Sequence, residues 1–308
     1  MKNPKSPFIS AVMMMGKKPE PFLSACLDSI KDAVDLLVVN DNSGEAASLN
    51  LETLKSSRLF SEGKVALIPS EFIGFGSCRN LCLDHLKTLE QDDTWVLYLD
   101  ADEVHPPGLK TLTRLLLPEL PAGVGIVDGY NYLFFQSPRY YLSVDRRHNL
   151  FFRFNDKIRW EGAVHEKPVN LSGKRLALPY CYFHYGYLIS PQALLNRWKL
   201  YGDLGDEMSG NIALDESLPF VSEAGRALPY RGRHPKAAES ALDEYCRANF
   251  SSVRYFEDLV QKQIVFHKIF SQLNFRLRIG SRLPEFVLKF SFRPSLLKAL
   301  FKMLKECK

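Results

Sequence analysis

Three carboxylates fall within four residues of the chain, at Asp100, Asp102 and Glu103. In an extended segment Asp100 and Asp102 would point to the same side, where they would repel each other unless a cation lay between them. Carboxylate oxygens suit Mg²⁺ or Mn²⁺, and Mg²⁺ in proteins is usually shared with substrate phosphates. The spacing therefore predicts a divalent-metal site beside a phosphorylated ligand; the alternative is a solvated acidic turn after a strand.

The segments that would hold these carboxylates alternate between strands and helices over about the first hundred residues. The apolar run Trp95–Leu99 is typical of a strand buried on both faces, and it ends at Asp100. The alternation predicts an α/β fold with a mostly parallel, doubly wound sheet, in which ligands bind beyond the C-terminal ends of the strands. The other predicted strands are Phe8–Met15, Leu36–Val39, Val65–Ile68, Val124–Phe135, Asn149–Phe154 and Tyr180–Tyr187. The predicted helices are Glu20–Lys31, Leu49–Phe60, one from an N-cap at Ser77 to about Leu89, Gly108–Leu117, and one from Pro191 onward.

Cysteine content and hydropathy narrow the class of protein. The six cysteines contain no CxxC pair and no Cys/His spacing typical of a zinc site, and scattered reduced thiols fit a reducing cytoplasm. A first strand explains the apolar run Phe8–Met15 better than a signal peptide does. No run approaches the ~18 apolar residues of a membrane-spanning helix. From the cysteine usage we expect a cytoplasmic protein.

The net charge of +5 is concentrated near the C-terminus, because His267–Lys308 carries ten lysines and arginines against two acids. A basic tail on an otherwise neutral or acidic body indicates an anionic partner, and the absence of interleaved aromatic platforms argues against nucleic acid. The end of the tail predicts an amphipathic helix that lies on an anionic membrane or packs on its own domain or a partner subunit. Its apolar residues at helical spacing are Leu297, Leu300, Phe301 and Leu304.

Several motifs follow the first strand and helix in a characteristic order: Val38–Ser43, Gly76–Asn80, Leu99–Glu103 and, later, Trp160–Glu166 and His184–Tyr187. Over roughly residues 8–190 this order resembles the inverting glycosyltransferases of family 2, which have the GT-A fold, and the later motifs look like a bacterial branch acting on surface glycans. The resemblance implies an Asp-x-Asp metal motif at Asp100–Asp102. The first turn departs from the family pattern, since Asn40 replaces the usual Asp and Asn42 the usual Gly.

The resemblance implies a nucleotide-diphosphate sugar as donor and Mn²⁺ or Mg²⁺ as cofactor. Asp41 can accept hydrogen bonds from a uracil-type base or a ribose, although an Asp in that place also forms turns. A guanidinium at Arg79, near a helix start, can bind phosphate or base oxygens, the alternative being a surface arginine. The donor-binding residues so implied are Met14, Asp41, Arg79, Asp100, Ala101 and Trp160, and the metal ligands are Asp100, Asp102 and His184.

Inversion of the sugar requires a general base that takes the proton of the acceptor hydroxyl. Family members carry an acid after a Gly-containing turn, which the resemblance places at Glu166, with a metal-binding histidine following at His184. His165 is the rival base, with a reference pKa of about 6.5. A histidine in an aromatic strand is otherwise a packed core residue, and Trp160 is either a platform for a sugar ring or part of the core.

Together these features predict a GT-A catalytic domain over residues 1–190 and a helical, basic extension over 191–308. The predicted activity is sugar transfer to a glycan or lipid-linked acceptor in cell-envelope polysaccharide or lipopolysaccharide synthesis, at the inner face of the cytoplasmic membrane. One alternative is a sugar-phosphate nucleotidyltransferase, although Met14–Lys18 is poor in glycine for the phosphate loop of those enzymes. The other alternative is a catalytically silent module that binds sugar nucleotides.

Overall fold

The computed structural model of the protein describes residues 6–44, 48–162, 165–205, 223–262 and 294–307. Within them a nine-stranded sheet runs through the fold, and a separate pair of strands lies outside it. The strands are β1 (Phe8–Met15), β2 (Leu36–Asp41), β3 (Val65–Pro69), β4 (Thr94–Tyr98), β5 (Glu103–Val104), β6 (Val124–Phe135), β7 (Ser137–Arg153), β8 (Arg159–Glu161), β9 (Lys167–Val169), β10 (Lys174–Tyr187) and β11 (Leu228–Pro229).

One half of the sheet is parallel, in the order β3-β2-β1-β4. The apolar runs of β1, β2 and β4 are almost wholly buried, as expected of strands covered on both faces. Their C-terminal ends meet at one edge, which brings the segments after Asp41 and Tyr98 together. The predicted α/β class with parallel strands is therefore confirmed.

The second half of the sheet is mixed and curls beyond β4. Strand β7 pairs antiparallel with both β4 and β6, and β6 pairs parallel with β10. The short β5 then pairs antiparallel with β10, setting Glu103 opposite His184. This pairing brings the segment after β4 against the end of β10, so two motifs that are distant in the sequence share one edge.

Helices flank the sheet. They are α1 (Leu23–Ile30), α2 (Leu49–Lys55), α3 (Arg58–Ser61), α4 (Phe75–Lys87), α5 (Gly108–Thr111), α6 (Pro191–Asp203), α7 (Glu239–Ala248), α8 (Phe250–Lys262) and α9 (Pro294–Glu306). The predicted N-cap at Ser77 is wrong, because α4 begins at Phe75, after Gly74 at a φ of 99°. The predicted single helix Leu49–Phe60 is two helices, because Ser57 caps α3 by accepting a hydrogen bond from the Phe60 amide.

The last helix, α9, belongs to the main hydrophobic core. Leu296, Leu300 and Met303 are fully buried in the same cluster as β1 and β4. Gly108 lets α5 approach closely, since a side chain there would meet the Met303 carbonyl at 2.9 Å. The buried side of α9 thus packs on its own domain, which is one of the alternatives that the sequence left open for this helix.

The predicted basic extension after residue 190 is only partly described. Residues 206–222 and 263–293, which hold most of the basic tail, lie outside the described residues. In the described part, α6 packs on β6 through Trp198 and Phe135, and α9 packs in the main hydrophobic core. The two predicted regions therefore share cores. Among the described residues no helix is both long and apolar enough to cross a membrane.

Candidate active site

Arg79 joins two carboxylates from opposite sides of the site. It lies on the second turn of α4, beyond the end of β4, and only 5% of it is exposed. Its Nη2 donates to Asp100 Oδ1 at 2.7 Å, and its Nε donates to Glu166 Oε1 at 2.6 Å. Charge-assisted bonds of this length are among the stronger polar contacts in proteins. The prediction that Arg79 and Glu166 belong to one site fits this geometry.

Two aromatic rings enclose the Arg79 guanidinium. Its carbon lies 4.3 Å from the ring centre of Tyr98 and 5.4 Å from that of Trp160. Burial by itself would lower the pKa of Arg79, but Tyr98, Asp100 and Glu166 outweigh burial and raise it. The guanidinium is therefore permanently charged. Trp160 is only 3% exposed and packs on Tyr98. It is therefore part of the core, the second of its two predicted roles, and has no exposed face for a sugar ring.

Asn80 fastens the hairpin that carries Glu166. Strands β8 and β9 pair only with each other among the described residues, so they need an attachment to the body of the protein. Asn80 Nδ2 donates to the Trp160 carbonyl at 3.1 Å, and the Trp160 amide donates to Asn80 Oδ1 at 2.8 Å. Gly76 permits this approach, because a side chain there would meet the Gly162 carbonyl at 3.1 Å.

The two candidate bases have different surroundings. Glu166 is largely buried, and its Oε1 accepts from Arg79 and, at 3.5 Å, from the Tyr98 hydroxyl. Both bonds go to the same oxygen, which fixes the carboxylate and leaves Oε2 outside them. His165 is exposed, has a φ of 57° and lies with its ring 6.5 Å from that of Tyr201.

Asp102 and His184 form a second polar pair. His184 Nε2 lies 3.3 Å from Asp102 Oδ1, an ion-pair distance. Burial lowers the pKa of His184, but the Asp102 carboxylate outweighs it and the pKa rises to about 9. Burial also raises the pKa of Asp102, yet His184 and Arg197 outweigh it and the pKa falls. The pair is therefore charged at neutral pH.

The carboxylates do not share one side of an extended segment as predicted. Strand β4 ends at Tyr98, and a turn follows in which the Glu103 amide donates to the Asp100 carbonyl at 3.1 Å. The turn sends Asp100 to Arg79 and Asp102 to His184. Glu103 is fully buried, and its carboxylate accepts from the Asp100 amide at 3.0 Å and from the Tyr182 hydroxyl at 3.2 Å. Glu103 thus holds the turn in shape.

Fewer candidate metal ligands therefore come together than the Asp-x-Asp pattern suggested. The described residues contain no group of three or more His, Cys, Asp or Glu side chains arranged around a common point. Asp102 and His184 do converge, and Gly186 leaves the space beside them open, because a side chain there would meet His184 Nε2 at 2.7 Å and would also clash with Asp102. An oxygen and an imidazole nitrogen with room beside them fit a Mg²⁺ or Mn²⁺ that takes its remaining ligands from substrate oxygens.

The residues implied at the donor site lie along the parallel edge. Met14 is half-buried near the end of β1, paired with Asn40, and Ala101 lies in the turn after β4. Asp41 is buried and its Oδ1 accepts from the Ser43 amide at 3.0 Å, so it has the turn-forming role; a ligand role for it stays a prediction. Asn40 contacts Ser70 and the Ile68 carbonyl, which explains an amide where the family has an acid.

Three residues that the sequence interpretation missed lie around Asp102. Arg197, on α6, donates to the Gly186 carbonyl at 2.6 Å, and Tyr201 lies one turn further along the same helix. Glu20, before α1, has a pKa raised to about 8 by burial and then by the charge of Asp102. The periodicity of α6 predicted a helix, but it could not show that Arg197 faces the site.

One guanidinium nitrogen of Arg79 is buried without a hydrogen bond. Among the described residues, the buried polar atoms in this state are Arg79 Nη1 and the neighbouring Trp160 Nε1, together with others elsewhere in the fold such as Asn131 Oδ1 and Gln136 Oε1. Leaving such groups unsatisfied costs about 1–3 kcal/mol each, so proteins usually retain them where a ligand or water completes them. Arg79 Nη1 is therefore a donor at this edge that a ligand oxygen can complete.

The sequence match agrees with this location. Residues 10–178 match the family described as Glycosyl transferase family 2, and this stretch is more than half of the 308 residues. It begins within β1, includes the Arg79 cluster and Asp102, and ends within β10. No curated protein sequence matches the chain. On the match and the α/β fold together, the chain belongs to glycosyltransferase family 2 and is consistent with the GT-A fold.

Proposed function

We propose that the protein is a metal-dependent inverting glycosyltransferase that moves a sugar from a nucleoside-diphosphate donor to an acceptor hydroxyl. The observation that carries this proposal is the bridge through Arg79. Asp100 lies at the end of a sheet strand, where α/β proteins bind nucleotides, and Glu166 lies on the neighbouring hairpin. One buried guanidinium thus holds a donor-side carboxylate next to a carboxylate that can act on the acceptor.

Glu166 is the general base of this reaction. Arg79 and Tyr98 hold its Oε1, so Oε2 is oriented to accept the proton of the acceptor hydroxyl while the oxygen attacks the sugar. Attack from the face opposite the leaving diphosphate inverts the configuration in one displacement. His165 is the weaker candidate, because it is exposed whereas Glu166 is largely buried.

The donor diphosphate lies between Arg79 Nη1 and the Asp102–His184 pair. Arg79 Nη1 is a buried donor without a hydrogen bond, and Gly186 leaves space beside the Asp102–His184 pair. Asp102 and His184 would hold Mn²⁺ or Mg²⁺, which when bound neutralises the charge that grows on the leaving diphosphate. Asp41, at the end of β2, binds the base or ribose, and Asp100 faces the ribose.

Product analysis tests this proposal against its alternatives. Purified protein is incubated with a panel of UDP, GDP, CDP and dTDP sugars and Mn²⁺, and nucleoside diphosphate and pyrophosphate are measured separately. We expect nucleoside diphosphate from at least one donor, loss of it in EDTA and in Asp102→Ala, and an inverted anomeric centre by NMR. Pyrophosphate instead would indicate a nucleotidyltransferase. Full activity in EDTA would contradict the metal role, and donor binding without turnover would indicate a silent binding module.

The acceptor we propose is a glycan or lipid-linked glycan of the cell envelope, reached from the cytoplasmic side of the membrane. The outer side of α9 supports this location, because Lys298, Phe301, Lys302 and Lys305 are all exposed there. Each cation near an anionic lipid surface contributes about 1 kcal/mol, so three lysines with one aromatic ring can hold a protein reversibly. In this proposal the membrane contact is the exposed, lysine-rich side of α9, because its other side is buried in the protein core.

A further inference from the structure

Four aromatic rings contact one another in a row that ends at His165, the residue before the candidate base Glu166. Phe72, in the loop before α4, lies 5.1 Å from Phe75, which lies 6.2 Å from Tyr201 on α6. Tyr201 in turn lies 6.5 Å from His165, the neighbour of Glu166. All these distances join ring centres, and each pair meets edge to face. Three segments that are far apart in the sequence thus build one continuous aromatic surface.

The outer end of this row is exposed although it is apolar. Phe72 is 44% exposed and the adjacent Ile73 is 57% exposed. Side chains of this size gain about 1.5–3 kcal/mol on full burial, so these two are available to cover the apolar face of a ligand. We call Phe72, Ile73, Phe75 and Tyr201 the aromatic rim.

The inner end of the row reaches the catalytic groups. Burial raises the pKa of Tyr201 to about 12, and the charges of Asp102 and Asp100 add to this rise while Arg197 opposes it. The phenol therefore lies within electrostatic reach of both carboxylates. Because His165 directly precedes Glu166, a molecule lying along the rim would bring its far end to the proposed base.

We propose that the aromatic rim is the acceptor site and binds the apolar C–H face of an acceptor sugar ring. This inference rests on the proposed function. A pyranose has one side rich in C–H groups and hydroxyls around its edge, which matches an aromatic surface that ends at a carboxylate. Stacking on the rim positions the edge hydroxyl at Glu166 Oε2. The groups proposed to bind the donor, Arg79 and the Asp102–His184 pair, are polar and charged, so the apolar rim suits the acceptor instead.

The test measures binding and does not require the natural acceptor. Saturation-transfer NMR is recorded with methyl glycosides of glucose, galactose, mannose and N-acetylglucosamine, and separately with UDP and GDP. The variants are Phe72→Ala/Ile73→Ala and Tyr201→Leu. The control is Phe250→Ala, an equally large side chain on α8 that is 64% exposed. Phe72 and Ile73 are exposed, so their removal leaves the core intact, and circular dichroism checks the fold.

We expect transfer to the ring C–H protons of at least one glycoside, weakened about three- to tenfold in both rim variants and unchanged in the control. Nucleotide binding should not change. Absence of glycoside transfer in the wild type, or equal transfer in the rim variants, would overturn the proposal. Weakened nucleotide binding with intact glycoside binding would assign the rim to the nucleobase and also overturn it. Donor hydrolysis in water, measured in parallel, reports on the proposed function independently.

Discussion

Asn80 and the backbone of Trp160 hold each other through two reciprocal hydrogen bonds, of 3.1 and 2.8 Å. The two residues are 80 positions apart, and the contact joins α4 to the small β8–β9 hairpin. Arg79 is the neighbour of Asn80 on α4, and Glu166 follows β8 on the hairpin. The Asn80 side chain therefore helps to set the distance between the Arg79 guanidinium and Glu166, although it makes no hydrogen bond to either group.

Replacing Asn80 should slow turnover more than it weakens donor binding. Asn80→Asp keeps the oxygen that accepts from the Trp160 amide but replaces the N–H donor with an oxygen, which then faces the Trp160 carbonyl oxygen and repels it. We expect kcat to fall about tenfold or more, since small displacements of a catalytic group are costly, while the donor Kd changes less than about threefold. Steady-state kinetics and donor titration check this. Asn196→Asp, at an exposed position on α6, is the matched control, and an equal loss in both variants would contradict the role.

Buried strands could be predicted from the sequence, but contacts between distant segments, such as that between Asn80 and Trp160, could not. Strands β1 and β6 have their predicted bounds, because uninterrupted apolar runs fix buried strands. Arg79 and Glu166 were both assigned to the site, but their contact across 87 positions depends on how a hairpin docks on a helix. Periodicity predicts that α6 is a helix; it does not predict which side chains turn to the site, so Arg197 was missed. Asp100 and Asp102 separate because a turn replaces the extended segment that their spacing suggested.

Glu166 and His165 can be distinguished by paired substitutions. Glu166→Gln keeps the shape and the contact with Arg79 through its amide oxygen, but the group can no longer take a proton. We expect kcat to fall about 10²–10⁴-fold, with donor affinity little changed, and His165→Ala to retain most of its turnover. Pre-steady-state and steady-state assays on both variants check this. Near-normal turnover in Glu166→Gln with collapse in His165→Ala would transfer the role of base to His165.

The Asp102–His184 pair should make the stability of the metal-free protein depend on pH. The pKa of His184 is raised from its ordinary 6.5 to about 9, so its contribution to stability is complete below 6.5 and is lost as the pH rises through 9. The pKa of Asp102 is lowered from 3.8, so its contribution is complete above 3.8 and is lost as the pH falls through its lower folded value.

Urea unfolding of the wild type and of His184→Gln, in EDTA, tests this dependence. The difference in unfolding free energy between the two proteins should be largest between about pH 5 and 6.5 and should shrink towards about pH 9–10. His85→Gln, at a half-buried position in the last turn of α4 and away from any carboxylate pair described here, is the control and should show no such trend. A difference that stays constant from pH 5 to 10 would mean that the pair is not charged in the folded protein.

Gly186 should tolerate no side chain. A methyl group there would lie 2.7 Å from His184 Nε2 and would also clash with the Asp102 carboxylate, so Gly186→Ala must push the pair apart. We expect loss of Mn²⁺-dependent activity with a stability loss of about 1–3 kcal/mol, the usual cost of overpacking. Isothermal titration with Mn²⁺ alone and thermal unfolding check this. Gly123→Ala, where a side chain meets open space, is the control. Wild-type Mn²⁺ affinity in Gly186→Ala would exclude Asp102 and His184 as ligands.

The two sides of α9 should respond differently to substitution. Leu300 is fully buried in the main core, so Leu300→Ala should lower the free energy of unfolding by about 2–5 kcal/mol. Lys298→Gln/Lys302→Gln/Lys305→Gln changes only exposed positions and should leave stability nearly unchanged. The triple variant should instead weaken co-sedimentation with vesicles that contain about 30% anionic lipid, and the wild-type binding should fall at high salt. Equal binding of wild type and triple variant, or equal binding to neutral vesicles, would show that α9 serves only the core.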